Sequence, residues 1–373
     1  MKKMKNPFRY GIAVDDPYFV DREQEMKDYS KWLKSGQSLV IYSPRRYGKT
    51  SLVLRLLRQL TSEGYRTVYI DFFKVTSRQR FAELYYTEIL KQLPSWGKAL
   101  KKVSSLTRLV RPVVTIDQNG QPSVSIKFDD QAGYREITEI LDLPQKLAEK
   151  KNWVIVFDEF QEINRLNGNS LEKEMRAAFI HHKNCGYAFL GSKMHMLLNM
   201  FTHENRAFYQ FGKITELKKL PANLVSDYLK RGFDKTGMTV TEGIPEKIIQ
   251  ICEGIPHYIQ YLASGAWEEA VENSLLLNDK VLGKAVKRIL INQSDYFSVQ
   301  YEKLTVIQQI VLKAISASNA NIYNSDFLRQ NNLRSPSTVQ RAIEKLLNDG
   351  ILIRQDRAYN FTDPFFKMWI LEF

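Results

Sequence analysis

The sequence predicts a three-layer α/β domain with a parallel sheet, then a small helical domain and a C-terminal unit of three helices and a β-hairpin. Short apolar runs alternate with helical patterns as far as about residue 220, and beyond that point the strands stop. Alternation of this kind is typical of parallel sheets covered by helices. The predicted boundaries are 1–220, 221–298 and 299–373, with a basic helix and a β-hairpin inserted at about 95–145.

Four short apolar runs supply the strands of the predicted sheet. They end at turn residues or polar pairs, the pattern of strands buried on both faces. The runs are 38–42, 67–72, 153–157 and 187–190. The first helix precedes them: Asp21 is placed to cap it, and Met26, Tyr29 and Leu33 form its apolar stripe.

The predicted insertion is basic. Residues 89–116 include six basic residues and no acidic one. Asn119-Gly120 then separates two runs of alternating residues, which is a strong hairpin signal. Two interpretations stay open: a solvated face with a plain hairpin, or a surface that binds an anionic partner.

Helical patterns dominate the remainder of the chain. Helices are predicted at 224–233, 244–252, 257–271 and 279–290, and then at 302–315, 326–331 and 336–347. Two short strands, 351–354 and 358–361, follow the last helix. Three helices followed by a β-wing is the winged-helix pattern, a variant of the helix-turn-helix.

Composition limits the classes of function. The 373 residues carry a net charge of +13, which favours anionic partners such as nucleotides or nucleic acid, although a basic solvated surface gives the same number. The two cysteines, Cys185 and Cys252, are too far apart for a C-x-x-C site and argue against a disulfide scaffold. No apolar run approaches the ~20 residues of a membrane span, so we expect a cytoplasmic protein with no membrane partner.

The strongest motif is a Gly-Lys-Thr run between a predicted strand and a predicted helix, the context of a phosphate-binding loop. Backbone N–H groups would face phosphate oxygens, Lys49 would bring a positive charge to the β- and γ-phosphates, and the Thr50 hydroxyl would ligate Mg²⁺. One departure stands out, because Ser43 replaces the usual first glycine. The predicted nucleotide-binding residues are Ser43, Pro44, Arg45, Arg46, Tyr47, Gly48, Lys49, Thr50 and Ser51.

A second motif supplies acidic groups. The apolar run 153–157 ends in Asp158-Glu159, and side chains alternate along a strand, so the two carboxylates point differently. Asp158 could complete the Mg²⁺ site, and Glu159 could orient or deprotonate the attacking water. No spacing of histidines and cysteines is typical of a further metal site, so Mg²⁺ is the only metal expected.

From these motifs the sequence resembles the AAA+ ATPases and, more closely, the archaeal-type ATPases of the STAND group, which carry a winged helix after a helical lid. The residues that carry the resemblance are Asn6-Pro7-Phe8, Phe19-Val20-Asp21-Arg22-Glu23, the loop from Ser43 to Thr50, Gly191-Ser192 and Gly254-Ile255-Pro256. The resemblance implies ATP and ADP as ligands and a nucleotide-dependent oligomer, and the departure at Lys213, described next, favours slow hydrolysis.

The resemblance also implies roles for individual residues. Arg22 would lie near the adenine, Ser192 would sense the γ-phosphate and join Lys49, Asp158 and Glu159 as a catalytic residue, and Pro256 of the lid would pack near the nucleotide. The family often places an arginine after the strand that carries Ser192. Here Lys213 stands at that place, so either Lys213 or Arg206 would have to substitute.

The third helix of the predicted winged helix has an apolar face and a polar face. Val339, Ala342, Ile343, Leu346 and Leu347 form the apolar face, and Ser337, Thr338, Gln340, Arg341 and Lys345 form the polar one. Such a polar face could enter a DNA groove. Residues 299–373 hold nine basic and seven acidic residues, however, so most of the positive charge lies elsewhere, and contact with a protein or intramolecular regulation is the alternative to DNA binding.

Three functional hypotheses follow. The first is an ATP-binding switch with slow hydrolysis that couples its nucleotide state to a DNA or protein partner through the winged helix and the basic insertion. The second is a DNA-binding protein that uses nucleotide as a structural cofactor. The third is a protein-interaction adaptor of a toxin or defence system.

Overall fold

The computed structural model describes residues 4–93, 102–103, 105–106, 111–116, 122–127, 133–148, 152–166, 170–317, 322–333, 335–355 and 358–372. The chain divides into two compact units. The α/β unit comprises Arg22–Ser43 and Lys49–Leu217, and the helical unit comprises Met1–Asp21, Pro44–Gly48 and Lys218–Phe373. No helix in the described ranges is long and apolar enough to cross a bilayer.

The α/β unit contains a five-stranded parallel sheet. Its strands are β1 (Leu39–Tyr42), β2 (Arg66–Asp71), β5 (Trp153–Asp158), β6 (Cys185–Gly191) and β7 (Lys213–Glu216), in the spatial order β2-β5-β6-β1-β7. The helices of this unit are α1 (Glu23–Lys34), α2 (Lys49–Ser62), α3 (Arg78–Lys91), α4 (Gly133–Leu141), α5 (Leu143–Lys146), α6 (Ser170–Phe179) and α7 (Met194–Thr202). The predicted α/β class with a parallel sheet is confirmed.

Burial explains why most of these strands could be predicted. Every residue of β5 and β6 is buried, as expected of central parallel strands. Phe157 lies inside an aromatic cluster, with its ring centroid 5.5 Å from that of Phe189 and 6.0 Å from that of Phe160. Burying each such ring contributes ~1.5–3 kcal/mol. The edge strand β7 escapes the sequence pattern because three of its four residues, Lys-Ile-Thr-Glu, are polar and none is fully buried.

The register brings the carboxyl ends of the central strands together. Tyr42 at the end of β1 pairs with Gly191 at the end of β6, and Asp71 at the end of β2 pairs with Asp158 at the end of β5. Strand β6 lies between β1 and β5. In open α/β sheets ligands bind beside these carboxyl ends, so a ligand-binding site is expected at this edge.

The predicted hairpin is present as β3 (Arg111–Ile116) and β4 (Pro122–Lys127), which pair antiparallel. Its predicted turn, Asn119-Gly120, lies outside the described residues, as do residues 94–101, 104 and 107–110 of the basic segment before it. Of the lysines in that segment, Lys91 and Lys102 are described, and both are exposed.

The helical unit contains the predicted lid and winged helix. Its helices are α8 (Ala222–Asp234), α9 (Ile244–Ile251), α10 (Pro256–Glu272), α11 (Asp279–Glu302), α12 (Val306–Ser316), α13 (Ser325–Gln330), α14 (Pro336–Asn348) and α15 (Pro364–Glu372). A short parallel pair joins β8 (Thr239–Val240) to β9 (Leu276–Leu277), and the antiparallel wing is β10 (Leu352–Gln355) with β11 (Ala358–Phe361). The predicted domain boundaries stay predictions; α11 runs unbroken through the second of them.

The N-terminal segment packs within this helical unit. The ring of Phe8 lies 4.7 Å from that of Phe233, centroid to centroid, and a Cβ added at Gly232 would come within 2.8 Å of the Phe8 ring. The Asn6 amide donates to the Ser264 hydroxyl at 2.9 Å. The Asn-Pro-Phe motif therefore anchors the start of the chain to α8 and α10.

The predicted cap of α1 is wrong. Arg22, not Asp21, occupies the N-cap position, and no side chain caps the helix. Both residues have left-handed backbone, with φ of 53° at Asp21 and 78° at Arg22, whereas an N-capping residue usually has extended backbone. The Arg22 guanidinium instead pairs with Glu25 at 2.7 Å.

Candidate active site

The loop between β1 and α2 has the backbone of a phosphate cradle. Arg46 and Gly48 adopt left-handed conformations, with φ of 71° and 89°. A Cβ at Gly48 would meet no atom within 4 Å, so its backbone conformation, and not lack of space, makes glycine the suitable residue. Helix α2 then begins at Lys49, and its first N–H groups have no partner within the helix, which favours an anion at this end.

The serine at the first loop position has a specific contact. The Lys49 ammonium donates to the Ser43 carbonyl oxygen at 2.8 Å and to the Ser43 hydroxyl at 3.2 Å. Both residues are buried. Glycine could offer the carbonyl but not the hydroxyl, so the departure at position 43 adds a polar contact to the lysine. The buried ammonium lies at the start of α2, where it can meet a phosphate.

Asp158 and Thr50 lie together, as a shared Mg²⁺ site requires. The Thr50 hydroxyl donates to Asp158 Oδ2 at 3.0 Å, and the Tyr69 hydroxyl donates to the same oxygen at 2.5 Å. Burial raises the pKa of the Asp158 carboxyl, and the hydrogen bond from Tyr69 opposes that rise. A hydroxyl and a carboxylate are the oxygen ligands that Mg²⁺ prefers, so the residues present fit the ion.

Glu159 and Ser192 are also brought together. The Glu159 carboxylate accepts from the Ser192 hydroxyl at 2.8 Å, from the Ser192 N–H at 3.2 Å and from the Gln161 amide at 2.5 Å, all at one oxygen. Glu159 has left-handed backbone, φ 50°. The turn after β5 therefore directs the two carboxylates of the predicted motif to different partners, as strand alternation suggested.

Two family models match the chain. The first is described as an ATPase domain predominantly from Archaea, and it matches residues 19–262. The chain belongs to this archaeal ATPase family. The second is described as a probable winged helix domain and matches residues 295–372. No curated protein matches the chain in sequence.

Solved structures agree with the family on the fold. A Walker-type ATPase of Pyrococcus abyssi is 19% identical, with a TM-score of 0.66 over 98% of this chain and 99% of that one. The Aeropyrum pernix ORC2 protein, in ADPNP-ADP complexes, is 15% identical, with a TM-score of 0.57 over 98% of each chain. The Aeropyrum pernix ORC1 protein in complex with DNA is 14% identical, with a TM-score of 0.52 over 97% and 94%.

This archaeal-type ATPase is accordingly an enzyme that hydrolyses ATP, and it binds the nucleotide. The clustering of Lys49, Thr50 and Asp158 agrees with that activity. The roles of individual residues stay predictions, because the family match and the fold do not assign them.

Sequence reasoning missed two residues of the archaeal-type ATPase's candidate site. Tyr69 contacts Asp158 from a neighbouring strand, which only the sheet register reveals. Gln161 follows two residues after Glu159, where nothing in the pattern marks it. A Cβ at Gly191 would meet Gln161 Oε1, so a larger residue there would require the Gln161 amide to move.

The two candidate substitutes for the family arginine are engaged elsewhere in the α/β unit. The Arg206 guanidinium pairs with Glu172 at 2.5 Å and donates to Asn164 at 2.8 Å. The Lys213 ammonium lies 3.6 Å from the centroid of the Trp32 ring. In this conformation both cations are held by side chains other than those of the candidate site.

The remaining predicted residues have varied surroundings. Ser51 is buried in α2, and Arg22 is buried and paired with Glu25. Arg45 is exposed, whereas Pro44 is buried. Pro256 is the first residue of α10 in the helical unit. The structure alone does not give these five a nucleotide contact.

Within the helical unit, the loop segment contacts both the lid and the winged helix. The Arg46 guanidinium pairs with Asp363 at 2.9 Å, and its carbon lies 4.7 Å from the Tyr258 ring centroid. The Arg46 carbonyl accepts from the His257 N–H at 3.3 Å, and the Tyr47 hydroxyl accepts from the Gln355 amide at 3.4 Å. Burial, and then the charge of Arg46, lowers the pKa of His257 to about 4, so its imidazole is neutral near pH 7.

Proposed function

We propose that this protein is an ATP-dependent switch of the STAND type, in which the nucleotide loop controls the position of the winged helix and hydrolysis is slow. The observation that carries the proposal is the ion pair between Arg46 of the loop and Asp363 at the start of α15. A ligand that binds the loop acts directly on a residue that holds the winged helix. Differential contact of this kind is what a switch requires.

Residues of the α/β unit support the chemistry. Lys49 would balance phosphate charge, and Thr50 with Asp158 would hold Mg²⁺, which when bound neutralises the charge that develops on the phosphates. Glu159 would orient or deprotonate the attacking water, and Ser192 would respond to the terminal phosphate. The loop residues from Ser43 to Ser51, with Arg22 and Pro256, would line the nucleotide.

Slow turnover is supported by the hydrogen bonds of Glu159 and by the side-chain contacts of Arg206 and Lys213. Glu159 accepts three hydrogen bonds at Oε2, so a water that approaches that oxygen must displace one of them. Arg206 and Lys213 are both engaged, so a cation at the γ-phosphate would have to come from a rearrangement or from another subunit. An oligomer that forms with nucleotide would supply the second of these.

The ion pair between loop and winged helix can be tested by Asp363→Asn. Asn keeps the cap that Asp363 Oδ1 provides by accepting from the N–H groups of Phe365 and Phe366, but it removes the charge that faces Arg46. Because the Arg46 side chain is 41% exposed, the pair contributes at most ~1 kcal/mol, which corresponds to ADP release that is up to about fivefold faster. Stopped-flow displacement of a fluorescent ADP analogue measures that rate.

The matched control is Lys367→Gln. It breaks the Lys367–Glu253 pair, 3.0 Å, which also joins α15 to the lid but does not involve the loop. We expect its ADP release rate to equal that of the wild type. If Asp363→Asn and Lys367→Gln release ADP equally, the Arg46–Asp363 pair does not couple the loop to the winged helix.

A second candidate function is DNA binding with nucleotide as a structural cofactor. It is favoured by the exposed side of α14, where Gln340, Arg341, Glu344 and Lys345 are exposed. Gln340 donates to Glu344 and Lys345 pairs with Asp349, whereas the guanidinium of Arg341 has no ion pair among the described residues. One neighbour in fold was solved with DNA.

Two variants separate phosphate contacts from base readout. Neutralising Lys98, Lys101 and Lys102 together should weaken binding to every DNA sequence and flatten its salt dependence, since phosphate contacts are lost. Arg341→Ala should change preference among sequences by ~1–3 kcal/mol per altered base pair, if α14 reads base edges. Lys313→Ala, at an exposed lysine of α12 outside that face, is the control and should leave both affinity and sequence preference unchanged. DNA titrations across a salt series test all three, and undetectable wild-type binding at low salt would reject this candidate in favour of a protein partner.

A further inference from the structure

Tyr69 approaches the candidate metal site from the strand next to β5. In the β2–β5 register Tyr69 pairs with Val156, two residues before Asp158. Side chains two residues apart on a strand share a face, and paired residues of neighbouring strands do so as well. The Tyr69 phenol therefore projects on the same face as the Asp158 carboxylate and reaches along it to Oδ2.

Three donors from three segments fix the Asp158 carboxylate. Tyr69 on β2 and Thr50 on α2 donate to Oδ2 at 2.5 and 3.0 Å, and the N–H of Glu159 donates to Oδ1 at 2.9 Å. Thr50 can donate its proton to Asp158 while its lone pairs face a cation. Tyr69 has a different role, because its proton can only reinforce the carboxylate.

The phenol remains a donor under physiological conditions. The usual pKa of a tyrosine phenol is about 10, so the hydroxyl keeps its proton at neutral pH. A neutral phenol can donate to the carboxylate without bringing a charge that would repel a divalent cation. A lysine at the same position would donate equally but would compete with the ion.

A buried tyrosine in the same unit provides a comparison. The hydroxyl of Tyr85, on α3, has no hydrogen-bond partner among the described residues. Tyr85 therefore lacks the contact that Tyr69 makes with Asp158, and it serves as the matched control.

We propose that Tyr69 is a positioning residue for the metal site: its phenol holds Asp158 Oδ2 beside the Thr50 hydroxyl, so that both oxygens face the Mg²⁺ that accompanies ATP. This inference rests on the proposed Mg²⁺ site. Partners behind a metal ligand commonly account for 10- to 100-fold in metal affinity. Tyr69 belongs to that class, because it contacts a candidate ligand and would not contact the ion.

The test is Tyr69→Phe, which removes one hydroxyl and keeps the ring. Calorimetric titration with ATP is carried out in EDTA and across a series of MgCl₂ concentrations, for wild type, Tyr69→Phe and the matched control Tyr85→Phe. We expect ATP affinity in EDTA to be the same for all three proteins. We expect the Mg²⁺ concentration that gives half of the affinity gain to rise roughly tenfold in Tyr69→Phe alone.

Each contrary result has a distinct meaning. An unchanged or lower Mg²⁺ midpoint in Tyr69→Phe overturns the positioning role, and a lower one would mean that the phenol competes with the ion. If Tyr69→Phe loses as much ATP affinity in EDTA as it loses in MgCl₂, the positioning role is also overturned, because the hydroxyl would then stabilise only the fold and not the metal site. A wild-type protein that gains no affinity from Mg²⁺ would remove the proposed metal site itself, and the role of Tyr69 with it.

Discussion

Lys49→Ala is expected to lower the affinity for ATP by roughly a hundredfold. The Lys49 ammonium is buried and is held by the carbonyl and hydroxyl of Ser43 at the start of α2. Removing one partner of a buried charged contact costs ~2–5 kcal/mol, and 1.4 kcal/mol corresponds to a factor of ten. Calorimetry or filter binding with ATP measures the change directly.

The substitution also removes the donor to the buried Ser43 carbonyl and hydroxyl, so folding of the variant is verified by circular dichroism before its affinity is compared. A matched control is Lys91→Ala, which deletes an exposed lysine that pairs with Glu88 on α3. Its ATP affinity should equal that of the wild type. Equal affinity in Lys49→Ala and the wild type, with circular dichroism showing both folded, would refute the assignment of the loop as the nucleotide site.

Glu159→Gln should retain ATP and lose turnover by roughly 100- to 1,000-fold, the usual contribution of a general base. A glutamine oxygen can still accept from Ser192 and Gln161, so the local hydrogen bonds survive, but the amide cannot take a proton from water. Phosphate release under saturating ATP measures turnover, and calorimetry measures binding in the same preparation.

Asp158→Asn should instead weaken the Mg²⁺-dependent part of ATP binding.

A nearby carboxylate provides the control for Glu159. Glu162 lies three residues further on and pairs with Arg165 at 2.6 Å and Lys193 at 2.9 Å, away from the hydrogen bonds of Ser192. Glu162→Gln removes the same charge at the same end of β5, and its turnover should stay within about threefold of the wild type. If Glu159→Gln hydrolyses ATP at the wild-type rate, another carboxylate activates the water.

The parts of the fold that the sequence predicts well are those set by burial and by local chemistry. The apolar run 153–157 and the Gly-Lys-Thr loop each carry their own signal, because a buried strand must be apolar and a phosphate loop needs Gly48 and Lys49. Strand β7 carries no such signal, because three of its four residues are polar and none is fully buried. The cap of α1 was wrong because Asp21 and Arg22 both take left-handed backbone, which their sequence does not favour.

The candidate site divides in the same way. Lys49, Thr50 and Asp158 belong to motifs, so their chemistry could be predicted from residue type and spacing. Tyr69 depends on which strand lies beside β5 and in which register, and Gln161 depends on the left-handed turn at Glu159. Both are properties of the assembled sheet, and a single sequence does not specify them.

The unbroken helix α11 joins the predicted lid to the winged helix, and this limits how the two can move relative to each other. Its 24 residues correspond to a rod of about 36 Å at 1.5 Å per residue. The ring centroid of its buried Phe297 lies 5.4 Å from that of Phe366 and 6.1 Å from that of Trp369. The C-terminal half of α11 therefore packs against α15 of the winged helix. A rotation of the predicted lid would therefore be transmitted to the winged helix by a continuous helix and not by a flexible linker. Expressing the lid and the winged helix separately would cut helix α11 and expose the Phe297 ring to water.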